Sequence, residues 1–163
     1  MPIVSRLIFR VVHWGARRGL RDEDPLQAPR PSPEHRTEIS RRTGIRGETY
    51  AYWYLRRLGY VFVARNYHPR TVQGEIDMIG YDGETLAFVE VRTRTIREEL
   101  TALPELSVTS GKQHVLVRTA KFFLRERRIK SDCPLRFDVV AIDNEIGRSP
   151  IVRLHKDAFS PQV

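Results

Sequence analysis

The chain has 163 residues, 40% hydrophobic and 29% charged, which is room for one domain of ordinary size and too apolar for wholesale disorder. Twenty-eight Lys and Arg against 20 Asp and Glu leave a net charge of +8. That excess favours polyanionic partners, nucleic acid first and an anionic membrane surface second. The single cysteine, Cys133, excludes an intrachain disulfide framework and a multi-cysteine zinc site. With no base beside it, it reads as an inert thiol of a reducing, cytoplasmic protein. No apolar run approaches the ~20 residues of a membrane span, and Arg6 and Arg10 interrupt the stretch a signal peptide would need.

Residues 1–43 stand apart from the rest. Ile3, Leu7, Val11 and Trp14 fall at helical spacing with Arg6, Arg10, Arg17 and Arg18 among them, the pattern of a short basic amphipathic helix. It reads either as a membrane-surface or nucleic-acid-binding arm, or as a segment with no specific role, whether a helix docked on the domain or a frayed extension, and the latter pair is preferred. Residues 21–43 hold Pro25, Pro31 and Pro33, many charges and few large apolar side chains, so they read as a flexible linker to a domain spanning 44–163. The segment 1–43 carries nine Arg and five acids, the remainder 19 basic and 15 acidic residues. Each part therefore carries half of the excess charge.

From Gly44 onward helices and strands alternate. Ala51, Leu55 and Leu58 stripe a helix over 47–58, with Gly59 as its stop. Residues 60–64, 75–81 and 85–91 read as strands, the last two joined through Asp82-Gly83. A long helix over about 110–128 and strands over 135–142 and 151–154 complete the order. Helix, three strands, helix, two strands predicts an α/β or α+β domain in which helices cover a mixed sheet.

The hairpin carries the chemistry. Side chains alternate along a strand, so Glu75 and Asp77 share one face and Glu90 and Arg92 share one face of the next strand. A two-residue Asp82-Gly83 loop pairs Glu75 with Glu90; a four-residue loop over 82–85 pairs Asp77 with Glu90. Either even loop gathers all three carboxylates on one face, whereas an odd loop separates them. Like charges on neighbouring strand positions repel. Two such carboxylates with a backbone carbonyl between them suit Mg²⁺ or Mn²⁺, an ion that activates water for phosphodiester hydrolysis. The alternative is that they pair with lysines or face solvent. Glu48 lies on the apolar stripe of the first helix, where it either reaches solvent or faces the same cation.

Gly47-Glu48, Ala51, Leu55, Gly59-Tyr60, Arg65-Asn66, Gly74-Glu75-Ile76-Asp77, Phe88-Val89-Glu90-Val91-Arg92-x-Arg94 and Arg136-Phe137-Asp138-Val139-Val140 resemble the YraN-like family of small bacterial proteins, itself similar to archaeal Holliday-junction resolvases. The resemblance covers roughly residues 44 to 157. It implies the restriction-endonuclease-like fold, a mixed central β-sheet flanked by helices, here preceded by a flexible or partly helical N-terminal extension. It implies Asp77, Glu90 and the Val91 carbonyl as metal ligands, Glu48 as a helix-borne acid and Glu75 as an accessory acid. Such nucleases carry lysine two residues after the glutamate, where this chain has Arg92. Arginine keeps the positive charge and cannot act as a general base.

Arg92, Arg94, Lys112, Arg118, Lys121 and Arg125 are the candidate phosphate contacts, the last three sharing a helix face. The bland readings are ion pairs for the two strand arginines and a solvated row for the helix. Tyr50, Trp53 and Tyr54 either stack on bases or pack in the core, with packing preferred. The five histidines are scattered, so no zinc is expected. The carboxylates together with the resemblance imply a nucleic-acid-binding protein of nuclease-like fold, as an enzyme a Mg²⁺-dependent endonuclease on structured or branched DNA, with a homodimer as the state related resolvases adopt. The alternatives are a nucleic-acid-binding module that has lost turnover, and a membrane-peripheral scaffold acting through its N-terminal arm.

Overall fold

A computed structural model describes residues 2–19, 33–96, 108–145 and 148–160. In chain order these form α1 (Pro2–Gly19), α2 (Pro33–Leu58), β1 (Val61–Tyr67), β2 (Ile76–Asp82), β3 (Thr85–Ile96), α3 (Ser110–Glu126), β4 (Leu135–Glu145) and β5 (Ile151–His155). The architecture is α/β, a five-stranded mixed sheet flanked by helices. None of the described helices is long and apolar enough to cross a membrane.

The strands lie in sequence order, β1-β2-β3-β4-β5. Among the described strands only β3 and β4 are parallel, and α3 lies in the crossover that a parallel pair requires. Central strand β3 is buried on both faces, so Leu86, Ala87, Phe88, Val89 and Glu90 are all buried. Ala87 and Val89 pack with Ala51, Leu55, Met78, Val140 and Ile142 under α2. Leu86 and Phe88 pack with Leu116, Phe123, Phe137 and Val139 under α3. Two cores thus sandwich the sheet.

Helix α2 starts fourteen residues before the predicted position, at Pro33 rather than Gly47. Residues 33–43 carry too little apolar periodicity to announce a helix, yet proline is favoured at a first helical position because its missing N–H is unpaired there anyway. The boundary read at 43/44 therefore falls inside α2, and of the linker only residues 21–32 lie outside the described residues. At the other end Gly59 takes φ 106°. Its N–H donates to Arg56 O (3.2 Å) and that of Tyr60 to Leu55 O (3.1 Å), the paired bonds of a Schellman stop.

The helix read near the N-terminus is present as α1 and docks on the domain, but its apolar spacing pointed to the wrong face. Ser5 and Phe9 are the buried residues, with Val12 and Ala16 packed against the same core. Ile3, Leu7, Val11 and Trp14 are exposed. Phe9 sits edge-on to Tyr50 (5.3 Å between ring centroids) with Arg57 over its other face at 4.4 Å. An aromatic socket selected Phe9 over the more regular aliphatic stripe.

In the hairpin Asp82 pairs with Thr85, so the loop is Gly83-Glu84, with Gly83 at φ 63°. The register is the one written for the four-residue loop, Tyr81 opposite Leu86. The loop remains even, so the shared face survives. Strand β3 also runs five residues beyond its predicted end.

Candidate carboxylate site

The β2–β3 ladder ends at Met78 opposite Val89, and one more step of that register sets Asp77 opposite Glu90. Asp77 Oδ2 accepts a hydrogen bond from the Val91 N–H at 2.6 Å. Glu90, 4% exposed, turns Oε1 toward two cations, Arg92 Nη2 and Lys112 Nζ, each 3.3 Å away. Its other oxygen, Oε2, is buried with no hydrogen-bond partner, and an orphaned carboxylate oxygen is costly unless something charged meets it.

The electrostatics follow from this crowding. Burial, then the Glu90 charge, push the Asp77 carboxyl up from its ordinary value to about 7; Glu48 adds to the push, and the Val91 N–H opposes it. Burial also raises Glu90, against the pull of Lys112 and Arg92. A fold that places two carboxyls where neither ionises easily has prepared a place for positive charge.

Helix α2 brings Glu48 to the same place. Gly47 lies so close to β3 that a side-chain carbon there would collide with Thr93 Oγ1, and only glycine lets the helix approach this closely. With its amide nitrogen turned inward, Asn66 donates to Glu48 Oε2 and to the Asp77 carbonyl, both at 3.3 Å. Asn66 itself takes φ 47°, a left-handed conformation that asparagine tolerates better than most residues. Two carboxylates and a main-chain carbonyl match the taste of Mg²⁺, which keeps several waters and needs few protein ligands. Among the described residues no three His, Cys, Asp or Glu side chains stand close enough to enclose an ion by themselves.

The other predicted residues divide. Glu75 sits at the rim, 3.1 Å from His68 Nε2, and adds to the negative potential at Glu90. Arg94 is drawn to Asp143, with Nε 2.5 Å from Oδ1, because the parallel register sets them opposite each other. Its guanidinium is held there with that of Arg153. Arg118 donates to the Gln73 carbonyl at 2.8 Å, and with Lys121 and Arg125 it forms an exposed row on α3. Arg118 and Lys121 line an open groove of about 640 Å³ with Phe159. Tyr50 and Tyr54 pack around Phe9 and Trp53 stands edge-on to Tyr52; packing holds these rings.

The model of the uncharacterised protein family UPF0102 matches residues 47–142. The chain belongs to UPF0102. A UPF0102 protein of Koribacter versatilis is 38% identical over 134 residues, covering 82% of this chain and 89% of that protein. Relatives from Desulfosudis oleivorans and Geotalea uraniireducens are 42% and 40% identical over 116 residues, 71% of this chain and 88% and 87% of theirs. This is the YraN-like family to which the sequence motifs pointed. The UPF0102 match holds Glu48, Asp77, Glu90, Val91, Arg92 and Lys112 together and begins after α1.

Sequence reasoning named Lys112 as a phosphate contact on the long helix, off the face shared by Arg118, Lys121 and Arg125. It sits in the first turn of α3, where Thr109 Oγ1 caps its N–H at 3.4 Å, and its side chain turns instead to Glu90. Only its six-residue offset from Arg118 hinted at a different role. Asn66 was visible solely as part of the resemblance.

Proposed function

We propose that this chain is a metal-dependent phosphodiesterase acting on structured or branched DNA. The observation that carries the reading is the half-buried Asp77 beside the buried Glu90, whose Oε2 has no hydrogen-bond partner. Asp77 and Glu90, with the Val91 carbonyl, are the residues that would hold Mg²⁺ or Mn²⁺. Bound there, the ion would acidify a coordinated water and neutralise a phosphate oxygen. Glu48, held by Asn66, adds an acceptor for orienting water. Arg92 offers a fixed positive charge to the phosphate and cannot give up its proton. Lys112 supplies the amine that position 92 lacks, reaching Glu90 from the helix rather than from the strand. The exposed row on α3 supports an electrostatic track for the backbone.

A binding module without turnover is the second reading, and Arg92 is what favours it. Cleavage of branched and of single-stranded DNA with Mn²⁺ separates the two, with Asp77→Ala and Glu90→Ala as controls. Cleavage lost in both variants supports the enzyme. Salt-sensitive binding with no cleavage by the wild type supports the module. Cleavage unchanged in both variants overturns the site.

A further inference from the structure

Helix α1 has two apolar faces and the fold uses only one. Phe9, Val12 and Ala16 dock on α2, while Ile3 (80% exposed), Val4 (63%), Leu7 (63%) and Val11 (62%) are the four most exposed of the described large apolar residues. Their spacing puts them along one stripe about four residues to the turn. The other exposed apolar residues, such as Leu58, Leu135 and Ile151, are scattered over different elements, as on any soluble surface. A contiguous stripe is different and marks a contact.

Docking also fixes which way the stripe faces. The Phe9 socket and the contact between His13 Nδ1 and the Tyr50 hydroxyl (2.5 Å) hold the opposite face of α1 to the domain, so the stripe is displayed outward. The helix contains four arginines, Arg6, Arg10, Arg17 and Arg18, and no acid. Arg6 and Arg10 are exposed, and helical geometry sets them along one border of the stripe.

We propose that α1 docks the protein on an anionic lipid surface, its aliphatic stripe entering the headgroup–acyl boundary and its arginines contacting lipid phosphates. The charge decides the occupant. Two copies pairing through this stripe would bring Arg6 and Arg10 of each together without one acid from either helix, whereas an anionic leaflet complements them. A DNA backbone would complement the arginines but leave the apolar stripe in water. Interfacial helices combine these two features, an apolar face and a basic border. The proposal is independent of the carboxylate site.

The test uses the full chain and sedimentation with vesicles of phosphatidylcholine alone or with about 30% phosphatidylglycerol. Binding to the anionic vesicles is expected to be at least about tenfold tighter. Leu7→Asp with Val11→Asp should weaken it about tenfold or more. Arg6→Gln with Arg10→Gln, which keeps the stripe, should weaken it by about the same factor. Asp77→Ala should leave it unchanged, so a failed nuclease reading does not touch this result. Equal binding to both vesicles, or binding indifferent to both double variants, overturns the proposal. So does a wild-type dimer in sedimentation velocity that Leu7→Asp with Val11→Asp converts to monomer, which would assign the stripe to a second copy.

Discussion

Replacing Asp77 by asparagine should stabilise the metal-free protein at alkaline pH while destroying its proposed site. The native carboxyl titrates near 7 and its ordinary value is 3.8. Between those limits the folded state holds a proton that the unfolded chain has released, so stability falls as pH rises. Above about pH 7 the full cost applies. Three units at about 1.4 kcal/mol each give about 4 kcal/mol as an upper bound. Asparagine keeps an acceptor for the Val91 N–H and carries no charge for burial and Glu90 to penalise. Urea unfolding in EDTA should show Asp77→Asn about 2–4 kcal/mol more stable than wild type near pH 8, the gap closing toward about pH 4. Added Mn²⁺ should raise the wild-type midpoint and leave the variant where it is. A gap that does not change with pH, or a variant less stable than wild type near pH 8, would refute the electrostatic reasoning.

Lys112→Gln should lower Mn²⁺-dependent DNA cleavage about 10²-fold in initial-rate assays with little change in melting temperature; an undiminished rate would remove Lys112 from the chemistry. Gly47→Ala should cost about 1–3 kcal/mol in urea unfolding, because the added methyl must displace Thr93 or the helix, and cleavage should fall with it as Glu48 shifts. Arg136→Gln should be the most damaging of these to stability. Arg136 joins Asp82 (2.6 Å) to Asp138 (2.7 Å), and Asp138 is 1% exposed. Without the guanidinium that carboxylate keeps only the Tyr60 hydroxyl and the Asp157 N–H as donors, and the loss should cost about 3–5 kcal/mol, read as a lowered denaturation midpoint.

The carboxylate pair was legible because strand parity is arithmetic. Any even hairpin loop sets Asp77 and Glu90 on one face, and Gly83-Glu84 is even. The strands were legible for a related reason, since β-branched and aromatic residues alternate along them. What was hidden depends on tertiary contacts. Phe9 outcompetes Leu7 for the core only because Tyr50 and Tyr54 shape a socket for a ring. Arg94 shares strand parity with Arg92, yet Asp143 claims it through a parallel register between strands far apart in sequence. Lys112 reaches Glu90 because the crossover delivers the start of α3 beside that part of central strand β3, and no local pattern encodes where a crossover lands.

That crossover also sets an order of assembly. Strands β1, β2 and β3 form a meander closed by short loops, the kind of local pairing that forms quickly. The β3–β4 ladder joins residues about 50 positions apart, and loop closure of that size comes late. Asp77 and Glu90 therefore meet on a ribbon still open to water, and Lys112 arrives when α3 closes over them. During synthesis the acidic pair emerges with Arg92 but before Lys112 and the cover of α3, so a cation at the proposed site would find its easiest entry while the chain is unfinished.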